Sequence, residues 1–223
     1  MIGTGKTTGI VLDVARQRGG ATPSVVTLHD HSRFSNDGAM TNVTWVQLPS
    51  GLWVMNFNGA TSFINCGTSQ SLEISGAITI LAWVRPDNVA GSKTIIDKRS
   101  GGVTEGYELR LNTDKLDMLL IEAGPATRQV TSASLVSTAW QMIAGVADSA
   151  LMTLYINGVL DANTLAWSGY MATGPVSLGI GKKVVAGGNP FAGLIALPRV
   201  HNYAYSAAQI YAHFQAERGF FGV

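Results

Sequence analysis

Charge is scarce in this chain: 15 Lys plus Arg face 14 Asp plus Glu in 223 residues, or 13%, about half the roughly 25% of an ordinary globular domain. A net charge of +1 leaves no clustered excess of Lys and Arg to neutralise a row of phosphates, which excludes nucleic acid as a main partner. Cysteine is nearly absent. Cys66 is the single thiol, so no intramolecular disulfide forms, and its place after Phe63-Ile64-Asn65 suits a small core residue better than a reactive one. Long apolar runs are missing too. Ala77 to Val84 is broken by Thr79 and is far shorter than the roughly 18 residues of a spanning helix, which excludes membrane insertion by a helix. Ile10-Val11-Leu12 stops at Asp13, so residues 1 to 20 carry no Sec-type leader. An extracellular or virion-surface location then calls for another route.

What is present is apolar and β-like. Hydrophobic residues make up 46% of the chain, with a mean hydropathy of +0.21, enough for one large core without disulfide or metal. Strand-like stretches bounded by Gly, Pro, Asn, Asp or Ser begin near Leu52 and recur at close spacing without helical periods between them. This predicts an all-β fold, a two-sheet antiparallel sandwich. Asn58-Gly59 and Asn157-Gly158 each sit between two such stretches and read as the two-residue turns of hairpins. Tyr107-Glu108-Leu109-Arg110-Leu111 alternates cleanly, so Tyr107, Leu109 and Leu111 are expected to pack while Glu108 and Arg110 meet water. Pro198 inside Leu194 to His201 marks an edge, a bulge or an early end. Only after Tyr205 does the period change: Ser206 as N-cap, Ile210 and Phe214 at i and i+4, and Gly219 as the stop predict one short C-terminal helix. Residues 1 to 20 differ in texture and read as an arm or attachment segment, leaving 21 to 223 as the sandwich domain.

Motifs that could carry chemistry are few. Gly3-Thr4-Gly5-Lys6-Thr7-Thr8 resembles the end of a phosphate-binding loop, but no strand precedes it and no α/β pattern follows. His29 and His31 flank Asp30 without further ligands in view, so no metal site is assigned. His201 and His213 have no marked nucleophile beside them, and no triad is assigned. The nearby carboxylate pairs, Glu105 with Glu108, Asp114 with Asp117 and Asp117 with Glu122, are separated by odd numbers. They would point to opposite faces of a strand, which disfavours the paired acids of glycoside hydrolysis and leaves no catalytic residue to name. Of the five tryptophans, Trp53, Trp83 and Trp140 lie in apolar strands and read as core. Trp167 and Tyr170, in the loop-like Ala166-Trp167-Ser168-Gly169-Tyr170, are the candidate ligand-binding residues.

Met55 to Ile64, Ile78 to Pro86, Tyr107 to Leu111, Trp140 to Val146, Leu154 to Leu160, Phe191 to Ile195 and Tyr205 to Ile210 follow one another in an order that resembles the laminin-G-like, concanavalin-A-like domains. The resemblance runs from about Ala21 to Gln215. It implies a jelly roll of two facing antiparallel sheets, used as a binding or adhesion module whose members contact glycans or proteins, some through calcium. Two departures matter. Ala196-Leu197-Pro198 stands where the family continues into an Asp-Glu pair, and Asn58 replaces the Asp of its Phe-Asp-Gly turn. No calcium ligand is therefore carried over, and no cofactor is expected.

Two functions fit these readings. One is a non-catalytic recognition or adhesion module that binds a glycan or a surface protein at a cell or particle surface. The other is a structural virion or assembly component, a homo-oligomer joined through the arm and a low-charge surface.

Overall fold

The computed structural model describes residues 9–14, 22–101, 104–124, 126–185 and 187–223. The Gly3 to Thr8 motif lies outside them. The described strands are β1 (Ile10–Asp13), β2 (Thr27–Leu28), β3 (Gly38–Thr41), β4 (Thr44–Gln47), β5 (Trp53–Asn58), β6 (Phe63–Asn65), β7 (Ile78–Pro86), β8 (Ser92–Arg99), β9 (Gly106–Asn112), β10 (Lys115–Ile121), β11 (Thr127–Leu135), β12 (Gln141–Ala147), β13 (Leu151–Ile156), β14 (Val159–Ala166), β15 (Gly179–Ile180) and β16 (Ala192–His201). Helix α1 (Ala207–Phe221) closes the described chain. Sheet I runs β14-β13-β12-β7-β16-β5-β4, with β1 also paired to β16, and sheet II runs β11-β10-β9-β8-β15-β6-β3-β2. All pairings are antiparallel, so the expected two-sheet sandwich with one C-terminal helix is the observed fold.

Strand β7 shows why this sequence gives two cores. Ile78, Ile80, Ala82 and Val84 enter the core between the sheets, whereas Leu81 and Trp83, one residue out of phase, join a second cluster with Ile210, Phe214 and Phe221 of α1. Sheet I is thus apolar on both faces because the helix covers its outer side. Trp83 anchors that cover, its ring stacked 4.1 Å from Phe221 between centroids and 5.8 Å from Phe214. The low charge of the sequence follows partly from this second core, and sheet I is not the polar outer surface that a bare sandwich would present.

Several local expectations need correction. Asn157-Gly158 does turn a hairpin, with φ +53 and +78 and Ile156 opposite Val159, as a type I′ turn requires. Asn58-Gly59 does not: β5 lies in sheet I and β6 in sheet II, so the chain crosses between sheets there. The Asn58 carboxamide oxygen holds the crossing, accepting from the backbone N–H groups of Ala60, Thr61 and Ser62. Gly219 lies inside α1. The helix ends at Gly222, whose φ of +71 supplies the left-handed cap that glycine adopts without strain. Ser206 is the N-cap, in a reciprocal capping box with Gln209. Ile10–Asp13, inside the stretch expected to be an arm, is a strand of sheet I with Val11 and Leu12 buried.

Pro198 marks a bulge in a central strand. The register of β16 against β7 shifts between Ala196 and Arg199, with Leu197 at φ +50. Before the bulge β16 pairs with β5, and after it with β1. The residue without an N–H therefore sits where one neighbour gives way to the next. On the far side of the sandwich Asp161 of β14 reaches across to β11, accepting from Ala133 and Ser134 N–H at 2.7 and 2.9 Å, which satisfies edge donors that would otherwise be open to pairing.

Candidate binding cavity

Beyond the bulge, Arg199 and His201 lie two apart on β16 and share the outer face of sheet I, opposite Leu81 and Thr79. Asp13 of β1 is in register with Arg199. From α1, Gln209, His213 and Glu217 recur every four residues and form one stripe. The connection between β16 and α1 adds Tyr203 and Tyr205. It is pinned by Thr79, the polar break in the apolar run of β7, whose hydroxyl donates to Tyr203 O at 2.8 Å and accepts from Tyr205 N at 2.9 Å. Together with Ile10, Ala212 and Ala216 these side chains line an open cavity of about 780 Å³, within the roughly 300–1,000 Å³ of small-molecule sites.

The floor of the cavity is one cation shared by two carboxylates. Arg199 Nε lies 3.1 Å from Asp13 Oδ1 and Nη1 lies 2.8 Å from Glu217 Oε1, while Glu217 Oε2 accepts from the Trp83 indole N–H at 2.8 Å. Burial alone would raise the Glu217 carboxyl. The contact from His213, the Arg199 charge and the Trp83 indole outweigh it and bring the group down to about 2. Above the floor stand the rings: His201 lies 5.4 Å from Tyr203 and 4.6 Å from Tyr205, Tyr203 is 5.1 Å from Tyr205, and Tyr205 stacks on His213 at 5.2 Å. His201 is held neutral, pushed down to about 3 by burial and by the adjacent Arg199 and His213. Its ring lies 3.2 Å from the Tyr205 hydroxyl.

A second polar concentration occupies the outer face of sheet II. Asp97 of β8 is directly opposite Glu108 of β9, Thr94 opposite Arg110, and Asp117 of β10 opposite both Arg110 and Thr131 of β11. Glu108, expected to meet water, is fully buried and surrounded by Arg99 at 3.0 Å, Lys183 at 3.1 Å and Arg110 at 3.7 Å. Asp117 accepts two bonds from Arg110, at 3.1 and 3.0 Å. Asp97 is pushed up to about 7 by burial and by the facing Glu108 charge. Thus a same-face carboxylate pair does exist, formed across strands. Both acids are closed off from solvent, and the cluster is a buried network of ion pairs under the partly exposed Arg99, Arg110 and Lys183.

The two residues singled out by sequence are split. Trp167 is only 7% exposed. It belongs to the core between the sheets, and its indole N–H donates to Asp148 O at 2.9 Å, so it closes one end of the sandwich and is not an open contact surface. Tyr170 is 57% exposed. Neither lines the cavity. Asp30, between His29 and His31, is a buried loop anchor that accepts from Asp13, Ser32 and Asn36 N–H. Among the described residues no group of three His, Cys, Asp or Glu is placed to hold a metal ion, and no helix is long and apolar enough to cross a membrane. Sequence reasoning missed the cavity, although Arg199-Val200-His201-Asn202-Tyr203-Ala204-Tyr205 alternates with period two and Gln209, His213 and Glu217 repeat with period four.

Comparison with known proteins agrees with this architecture. The binding domain of Paraclostridial Mosquitocidal Protein 1 superposes with a TM-score of 0.74 at 15% identity, over 96% of this chain and 55% of that one. The receptor binding domain of botulinum neurotoxin D gives 0.69 at 13% identity, over 93% and 52%. The ligand binding domain of botulinum neurotoxin serotype D, solved with N-acetylneuraminic acid, gives 0.70 at 12%, over 93% and 51%. The chain thus spans about half the length of these structures. No curated protein matches it in sequence. Residues 58–211 match the family model described as the concanavalin A-like lectin/glucanases superfamily, and the chain belongs to that family.

Proposed function

We propose that this chain is a non-catalytic recognition module that binds a glycan or a protein at a cell or particle surface, outside the cytoplasm. The observation that carries the reading is the cavity beside α1. It offers rings and polar groups to a ligand, but both of its carboxylates are already bound to Arg199, which leaves the site equipped for holding rather than for proton transfer. The structural neighbours support the reading, since the structures that share this fold are described as receptor, ligand or binding domains. The test is a glycan array together with capture of purified surface proteins by the immobilised chain. Binding that is lost when the cavity is altered supports it, and silence in both formats across several cell surfaces sinks it.

A second reading, self-association in a particle or extracellular assembly, is favoured by the outer strand β14, where Val159 and Leu160 stand exposed just after the hairpin turn, opposite Ile156 and Tyr155 of β13. Sedimentation velocity over a wide concentration range decides it: a monomer throughout removes this reading.

A further inference from the structure

We propose that the cavity beside α1 takes the uncharged terminal pyranose of a glycan and turns away acidic sugars. This rests on the recognition reading above and narrows it to one ligand class and one place.

Charge makes the first selection. Among the described lining residues Arg199 is the permanent cation, and its Nε and Nη1 face Asp13 and Glu217 at 3.1 and 2.8 Å. A sialic acid carboxylate or a sulfate is best recognised by the free fork of a guanidinium, and here that fork is committed to two carboxylates of the protein. His201 is held neutral by burial, and His213, the other described lining group able to carry positive charge beside Arg199, stands 3.9 Å from Glu217. Arg199 and His213 therefore both face carboxylates of the protein, and an anionic sugar would meet the part-exposed Asp13 carboxylate without an uncommitted cation among the described lining residues to receive it.

Shape makes the second. Tyr203, Tyr205 and His201 touch one another, with centroids 4.6 to 5.4 Å apart. They form a single wall and leave no gap for an onium group between rings, as an aromatic cage for a cation must. A purely apolar ligand fits no better, because it would cover the Asp13 carboxylate, whose side chain is 30% exposed, and the tyrosine hydroxyls without replacing the water bonds they lose. A pyranose meets both demands. Its C–H face packs on Tyr203, the part-exposed ring that His201 and Tyr205 hold in place from behind, and its hydroxyls donate to Asp13 and exchange bonds with Tyr203, Gln209 and His213 along the rim. The Trp83 indole, bonded to Glu217 from behind, places a spectroscopic reporter directly under the site.

The experiment uses the full chain and matched pairs of oligosaccharides, ending in galactose, glucose, mannose or N-acetylglucosamine, or the same chains capped with sialic acid or sulfate. Binding is followed by glycan array and by titration of the Trp83 indole N–H signal in 15N-labelled protein. The expected result is at least tenfold tighter binding of a neutral-terminated chain than of its acidic counterpart, with a shift of the Trp83 signal on saturation. Tyr203→Ala should weaken this at least tenfold while the chain still unfolds in one cooperative transition, since Tyr203 packs on the edge of the second core and is only partly buried. Asp13→Asn keeps the fold pairing of β1 and should narrow the discrimination against acidic chains. Equal or better binding of the acidic member overturns the proposal. So does neutral binding that neither moves the Trp83 signal nor responds to Tyr203→Ala, in which case recognition stands but lies elsewhere. If no glycan binds, the proposal fails outright, and protein capture alone decides the broader reading.

Discussion

Replacing Asp97 by Asn should make the protein more stable at mildly alkaline pH than the parent chain, by an amount that vanishes in acid. Asp97 faces Glu108 across β8 and β9, both carboxylates out of water, and it titrates at about 7 rather than at the ordinary 3.8. Between those values the native state holds the proton that the unfolded chain has released. Stability from this group is complete below about 3.8 and is lost as pH rises through about 7. The gap, at about 1.4 kcal/mol per pH unit, corresponds to about 4 kcal/mol above neutrality. His201 runs the opposite way. Lowered from 6.5 to about 3 by burial, it contributes stability above 6.5 that is lost as pH falls through about 3. The two overlap in the parent, so its own pH curve reports neither cleanly. The difference between Asp97→Asn and the parent removes His201, which lies on the other sheet, and reports Asp97 together with the Glu108, Arg99 and Lys183 charges coupled to it. Urea unfolding gives the readout: with a slope of about 3 kcal/mol per molar, the midpoint of the variant should lie about 1.3 M higher near pH 8 and coincide with the parent near pH 4. A difference that is flat with pH, or a variant weaker than the parent near pH 8, would refute the reasoning that burial, with the Glu108 charge beside it, outweighs Lys183 and Arg99 and raises Asp97.

Four other outcomes follow from the same structure. Glu217→Ala should cost about 3–5 kcal/mol in chemical denaturation, because Arg199 and the Trp83 indole lose a shared buried partner. Asp161→Ala should cost about 2–3 kcal/mol and speed hydrogen exchange at Ala133 and Ser134, whose N–H groups lose their acceptor. Ser206→Ala removes one half of the capping box and should destabilise by about 1 kcal/mol, with faster exchange confined to the first turn of α1. Gly193→Ala should leave little folded protein by circular dichroism, since φ is +126 and a Cβ there would lie 2.3 Å from the Arg85 carbonyl oxygen.

The parts of the fold that local rules could reach were those whose partner is close in sequence. The Asn157-Gly158 hairpin joins strands two residues apart, and the Ser206 cap needs only Gln209 three residues on. Asn58-Gly59 carries the same dipeptide as the true hairpin, yet its flanking strands enter different sheets because the Asn58 side chain folds the turn back on itself and β5 finds its neighbours in β4 and β16. Glu108 and Arg110 alternate properly with the core residues of β9, but alternation assigns a face and not its exposure. The charges of β8, of β10 and of Lys183 close over that face, and no spacing within β9 announces them. The candidate site was obscured in the same way. Asp13, Arg199 and Glu217 are scattered over most of the chain length and meet only through the β1–β16 register and the docking of α1.

By itself the sequence determined the class of the protein: apolar stretches of strand length, Asn-Gly turns, one terminal helical period and too little charge for a polyanion partner specify an antiparallel sandwich, because these signals act over a few residues. The tertiary structure decided which faces are inside and where a ligand can enter. It placed a helix on sheet I, buried an ion-pair network on sheet II, withdrew Trp167 into the core and assembled a cavity of about 780 Å³ from β1 and the distant run from β16 to α1. Those choices depend on strand register and long-range packing, in which a side chain's surroundings are set by residues more than a hundred positions away, as Asp13 and Arg199 or Trp83 and Glu217 are.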